Sequence, residues 1–392
     1  MFKKLDFASR IVPLSFLLLA SCAAVDQFGE RIYDGNRNSQ LAQNQETLVN
    51  IVRSSHLQPL NFVAITQVSG GQTESLNTGL PTVTFGPLQT VAQHQYQISN
   101  SVQSGVSGNY QSAPLVSTQF STGMLSPIDL KTVAFLVGAY PREPVFFSIV
   151  ESIYVRRKTT GELVRLVNDP SRDQDNTCLE LIGHGEGKLL SEAKRCSFSL
   201  FVNLMGRLTN VGLTAELQKS TSADKPAAAK GAKGAATSSD GASAGFHGRF
   251  CFDPTRSLGV AFRPLCGDQS KTVQLTYRFA DVGEVELLLS LRSPIGVFNY
   301  FGRLLNNQPL SWRNFYFTNQ ARDLIQDEPF LNIVRGHGLG CFASIPYAGE
   351  SFCVPESSKH TALLLTLLLH LRNLNIQPSD LNSAFTVRLS NS

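Results

Sequence analysis

The sequence predicts an α+β protein, on three observations. Stretches in which apolar and polar residues alternate, such as "YQISNSVQSGVSGNY" at 96–110, read as strands. Stretches of 13 or 14 residues with helical spacing of their apolar positions, such as "SFSLFVNLMGRLTN" and "SPIGVFNYFGRLL", read as helices packed by one face. The two kinds are interspersed without a regular βαβ repeat, so the sheets should be antiparallel. The expected architecture is two small α+β units with antiparallel sheets and packed helices, plus a Ser/Gln/Gly-rich β-hairpin region.

Taken in order, residues 22–43 are mostly polar and read as a tether. "QETLVNIVRSSHLQPLNFVAITQV" predicts a short amphipathic helix through Arg53, a loop around Pro59 and a strand from Leu60 to Val68. From Thr66 to Pro127 the one charged residue is Glu74. Within that region Tyr96, Ile98, Val102, Val106 and Tyr110 share one parity and neutral polar groups the other, giving a strand or a hairpin turning near Ser104-Gly105. Such alternation suits a segment that packs on its own domain with one wet face. It equally suits a hairpin donated by each subunit of an oligomer to a shared membrane barrel.

"SPIDLKTVAFLVG" predicts a helix with Ser126 as N-cap, and Pro144 starts a second helix over "PVFFSIVESIYVRR". "GELVRLVND" is a strand, "SFSLFVNLMGRLTN" a helix and "LTAELQ" a strand. Residues 219–245 contain no large apolar side chain, which predicts disorder, either as an interdomain linker, the preferred reading, or as a long loop between two strands. That choice places domains at 44–218, with the uncharged region at 66–125, and at 246–392. Beyond it lie the strands "GRFCFDP" and "TVQLTYRF" and the helix "SPIGVFNYFGRLL". "FVNLMGRLTN" at 201–210 and "VFNYFGRLLN" at 297–306 align without gaps, sharing Asn203/Asn299, Gly206/Gly302, Arg207/Arg303, Leu208/Leu304 and Asn210/Asn306. Ser197 and Ser293 precede them at N-cap spacing, a hint of duplication that two similar buried helices would also produce. The chain closes with a cysteine-stapled hairpin, the core helix "KHTALLLTLLLHLRNLN" and the strand "AFTVRLS".

The first 21 residues have the layout of a signal peptide: Lys3, Lys4 and Arg10, then the apolar core Ile11–Ala20. Leu19-Ala20-Ser21-Cys22 resembles the lipobox of bacterial lipoproteins; the alternative is an ordinary signal peptide ending by chance on a cysteine. The resemblance implies cleavage before Cys22 and acylation of that residue, hence a membrane anchor without a spanning helix. Ala23, rather than aspartate, follows the cysteine, which in the enterobacterial sorting pattern favours the outer membrane, with the body of the protein in the periplasm. "ETLVNIVRSSHLQPLNFVAIT", "LPTVTFGPLQ", "LRSPIGVFNYFGRLL" and "LLLTLLLHLRNLN" resemble segments of a group of uncharacterised proteobacterial outer-membrane lipoproteins, a resemblance that implies no activity.

Loss of the leader would leave a net charge of +2 in place of +4, no basis for a nucleic-acid surface. Setting Cys22 aside leaves Cys178, Cys196, Cys251, Cys266, Cys341 and Cys353. An even count in an exported chain fits three disulfides, and proximity favours Cys178–Cys196, Cys251–Cys266 and Cys341–Cys353; buried free thiols are the alternative. No CxxC spacing is present, so neither a metal nor a cofactor is expected. The chain has no HExxH or phosphate-binding loop, and its GxSxG match, Gly241–Gly245, falls in the stretch without large apolar side chains rather than between a strand and a helix, so catalysis finds no motif to support it. "GHGEG" and "GHGLG" place His184 and His337 on glycine-rich turns, where a shared metal or proton-transfer role competes with a plain turn. The reading that results is an acyl-anchored outer-membrane subunit of a cell-envelope complex, with self-association or other envelope proteins as partners. A glycan-binding module is the alternative, and a hydrolase using those histidines comes third.

Overall fold

A computed structural model describes residues 12–75, 103–174, 176–181, 191–219, 246–256, 262–268, 274–279, 283–307, 329–336, 340–376, 380 and 385–388. Its first elements are α1 (Val12–Ser55), β1 (Val63–Ser75), β2 (Gln103–Pro114), α2 (Thr118–Leu125), α3 (Leu130–Ala139), α4 (Arg142–Ile149), β3 (Val150–Arg157) and β4 (Leu163–Val167). Next come α5 (Ser197–Asn210), β5 (Leu213–Lys219), β6 (Phe246–Phe252), β7 (Leu275–Phe279), β8 (Gly283–Leu291) and α6 (Pro294–Asn307). The last are β9 (Val334–Arg335), β10 (Cys341–Tyr347), β11 (Glu350–Pro355), α7 (Lys359–Asn373) and β12 (Phe385–Arg388). Helices and small antiparallel sheets together make this an α+β fold. Among the described residues, no helix is long and apolar enough to cross a membrane.

The chain divides into two compact units. The first takes residues up to Ala42, Asn61–Ser117 and the chain from Ile376. It contains one sheet in the order β1-β2-β12. β1 and β2 pair from Val63↔Pro114 to Ser75↔Gln103, with a register shift between Ile65 and Gln67. Ser104 pairs with Glu74 and Gly105 with Thr73, so of the two readings, a strand or a hairpin turning near Ser104-Gly105, the described residues take the strand. The turn would have cost the pairs that the continuous ladder makes there. β12 adds Val387↔Tyr110 on the other edge of β2. Tyr96, Ile98 and Val102 lie outside the described residues, while Val106 and Tyr110 sit on β2 opposite Gln72 and Val68.

The second unit takes Gln43–Leu60 and Thr118–Asn375. Its largest sheet has the order β4-β3-β8-β7, beside the sheet β10-β11-β9 and the hairpin β5-β6. β5 and β6 pair from Leu213↔Phe252 to Lys219↔Phe246. The residues that flank the stretch expected to link two domains are therefore paired in one hairpin of the second unit, while residues 220–245 lie outside the described residues. Pairing of β3 with β8 likewise joins chain from both sides of it. The core is aromatic: Phe147 contacts Phe201 at 6.0 Å and Phe330 at 6.3 Å between ring centroids, and Phe330 meets Phe301 at 6.0 Å. Leu364, Leu365, Leu367, Leu368 and Leu371 of α7 are buried, the central place its composition predicts.

Several local expectations shift for physical reasons. The helix from Pro144 stops at Ile149, where Val150, Ile153 and Val155 bring β-branched side chains that pack better on a sheet. Asp129, not Ser126, caps α3, its carboxylate accepting from Thr132 N at 2.6 Å, while Ser126 Oγ donates back to Thr122 O. Residues 22–43, read as a tether, are helical as part of α1. Ser293 caps α6 by accepting from Gly296 N at 3.1 Å, but Ser197 lies inside α5 and accepts instead from Val167 N at 2.8 Å.

Three disulfides form in the second unit, Cys178–Cys196, Cys251–Cys266 and Cys341–Cys353, the pairing that chain proximity favours. The last staples β10 to β11 across a two-residue turn, where Ala348 and Gly349 both take positive φ, 51° and 84°. That combination is the mirror-image turn whose twist suits a hairpin, and glycine supplies half of it without strain.

Candidate anion-binding site

At the exit of β8 the chain places Arg292, whose own N–H donates to Ile149 O and whose carbonyl accepts from Ile128 N. Its side chain is 4% exposed. Nη1 donates to Ser148 O at 3.0 Å and Val150 O at 2.7 Å, Nη2 donates to Asn168 O at 2.6 Å, and the guanidinium lies 3.9 Å from the centre of the Tyr300 ring. Three carbonyls and an aromatic face thus stand in for a carboxylate partner. Burial pulls its pKa down to about 10, which leaves it charged at neutral pH, and burial pushes the Tyr300 hydroxyl up, which leaves it neutral. Asn168 completes the junction by donating Nδ2 to Phe147 O and Val150 O, the turn from α4 into β3.

Outside this buried cation opens a pocket of about 610 Å³, lined by Arg165, Arg172, Lys194, Arg292 and Arg303 with Glu151 and Asp169. Five cationic side chains against two carboxylates give its described lining a net charge of +3. Both carboxylates are already engaged. Asp169 accepts from Ser171 N and Oγ at the start of the 3-10 turn 170–172 and faces Arg303 Nε at 3.5 Å; Glu151 lies 3.8 Å from Arg165. Arg172 and Lys194 are exposed and have no carboxylate within ion-pair distance among the described residues. Asn168, Ser171, Gln174 and Ser197 supply neutral hydrogen-bonding groups on the same wall. Chemically the arrangement holds negative charge, through guanidinium forks and an ammonium. Its described lining contains no histidine or cysteine to act as base or nucleophile.

The wall is held by a long-range cap. Asp173 accepts from Phe198 N at 2.8 Å and from Ser199 N at 3.0 Å, so it satisfies the first donors of α5 from 25 residues upstream. The Cys178–Cys196 disulfide closes the intervening loop at the same helix end.

Two other clusters bear chemistry. Glu143 at the start of α4 is buried beside a cavity of about 300 Å³, and burial pushes its carboxyl up to about 8. Nearby, Asp253 goes the other way, to about 2: burial raises it, but hydrogen bonds from Thr255 and Arg142 prevail. Glu216, Cys251 and Cys266 lie within metal-ligand reach of one another, yet both sulfurs belong to a disulfide and Glu216 already accepts from Arg249 and Gly267 N. They are a structural cluster.

Of the residues singled out from sequence, the six cysteines are brought together in pairs, whereas His184 and His337 lie outside the described residues. Cys22 falls within α1. The cationic pocket was not foreseen; the available signal was Arg303 in the repeated Gly-Arg pair and Arg292 set between "LLLSL" and a capped helix start. Compared with protein-family models, curated proteins and solved structures, the chain finds no match.

Proposed function

We propose that the chain is an acyl-anchored outer-membrane lipoprotein that serves as a structural or assembly subunit of a cell-envelope complex, with no catalytic role. The observation that carries this reading is the set of three disulfides, each closing a local loop of the second unit. Stable disulfides belong to oxidising compartments, and the lipobox at Leu19–Cys22 supplies a route to one. The assembly half rests on the first unit. Its β1 and β2 are rich in Gly, Ser and Gln, and β1 is the terminal strand of the sheet among the described strands, the place this reading assigns to pairing with another chain.

Metabolic labelling with radioactive palmitate, followed by membrane fractionation, tests the anchor. The native chain should take up label and sediment with the outer membrane, and Cys22→Ser should remain unlabelled and leave that fraction. Equal labelling of both would refute acylation at Cys22.

A further inference from the structure

We propose that the pocket walled by Arg165, Arg172, Lys194, Arg292 and Arg303 binds a phosphate group carried on a small polar molecule. This stands on the second unit alone and does not depend on the anchoring reading.

Charge is the first argument. A described lining of net +3 whose carboxylates already face an arginine or a backbone donor is unfavourable while empty, and a phosphate dianion offsets most of that excess where a single carboxylate would offset a third. Geometry is the second. Arg303 and Arg165 line the pocket from different elements, α6 and β4, and each carries a planar fork suited to bidentate contact with tetrahedral oxygens. Arg292 is fixed behind them by three carbonyls and the Tyr300 ring, so its field reaches the pocket without any loss of side-chain freedom on binding. Size is the third. A volume of about 610 Å³ exceeds what a bare phosphate needs, and Asn168, Gln174 and Ser171 offer neutral groups that match hydroxyls on the remainder of the ligand.

Isothermal titration of the full chain with glucose 1-phosphate, glucose and glucuronate decides it. Glucose 1-phosphate should bind at least tenfold more tightly than either comparator, with affinity falling as salt rises. The double substitution Arg172→Gln/Lys194→Gln, which removes exposed cations that make no ion pair, should weaken binding about tenfold with no change in melting temperature. A second arm asks where the phosphate comes from. If Cys22→Ser chain sediments with phosphatidylglycerol vesicles and glucose 1-phosphate releases it, the group is a lipid headgroup; if it stays in solution, the ligand is a soluble phosphate, and either result upholds the site. Glucose 1-phosphate binding no better than glucose overturns the proposal. So does binding of glucuronate at equal strength, which would remove the case for phosphate, or affinity untouched by the double substitution.

Discussion

The two units are stabilised by different means. The first is a ladder: β1, β2 and β12 are held by backbone pairing along a register that includes Gly70↔Gly108, and their sequences offer few large apolar side chains. The second combines an aromatic core, three disulfides and the part-buried pairs Arg249–Glu216 and Arg372–Glu46. A sheet with few large apolar side chains draws less on burial for its stability than a cross-linked aromatic core does. The contrast shows that the second unit is equipped to carry a binding site of fixed shape, while the described strands of the first are held chiefly by backbone pairing.

The largest expected effect breaks the second unit alone. Reduction of the three disulfides, whose cysteines are 18, 15 and 12 residues apart, should remove about 3 kcal/mol for each bond. Hydrogen exchange should then rise across β5–β8 and β10–β11 while β1 and β2 keep their protection. Uniform loss in both units would contradict the contrast.

A smaller effect depends on pH. The Glu143 carboxyl has its ordinary value of 4.5 raised to about 8 on folding, so the folded chain keeps a proton that the unfolded chain loses. Its contribution is therefore most favourable below about pH 4.5, and stability is lost as pH rises toward about 8, by on the order of a few kcal/mol. Urea melts of Glu143→Gln should lack that decline and should exceed the native chain in stability at pH 8.

Next come the two helices of similar sequence, α5 and α6, inside the second unit. Asn299, Gly302 and Asn306 share one face of α6 and meet the end of α1: Ser54 Oγ donates to Asn299 Oδ1 at 2.9 Å and Asn306 Nδ2 donates to Ser55 O at 2.6 Å. A Cβ on Gly302 would lie 2.6 Å from Ser55 N, so Gly302→Ala should cost about 1–3 kcal/mol in thermal melts. The equivalent Asn203 of α5 donates instead to Leu181 O at 3.0 Å, so the same letters serve different neighbours. The smallest effect belongs to the cap. Asp173→Ala should cost about 1–2 kcal/mol and lower the melting temperature by a few degrees, with the loss confined to the wall formed by α5.

Legibility in the sequence followed locality. α5, α6 and α7 have complete helical patterns bounded by turn residues, and the β10–β11 hairpin is bounded by its own cysteines, so each could be read from its own letters. "PVFFSIVESIYVRR" could not, because a continuous apolar run suits a buried helix and a buried strand alike; the structure divides it at Ile149. The segment 219–245 was compositionally clear as a stretch unable to pack, but whether it joined domains or strands depended on the pairing of β5 with β6, which its composition does not encode. The site was the least legible part. Arg292 is bound by main-chain carbonyls, which leave no mark in side-chain identity, and Asp173 caps a helix 25 residues away, beyond the spacing that capping motifs use.

Native mass spectrometry of the protein extracted from outer membranes in mild detergent tests the central claim most directly. The mature protein should consist of chains that begin at Cys22, carry acyl groups and assemble into a discrete oligomer that dissociates when proline replaces the outward-bonding residue of β1, Val68→Pro. A chain that starts at Met1 or lacks acyl groups, or an acylated chain that remains strictly monomeric, would contradict it.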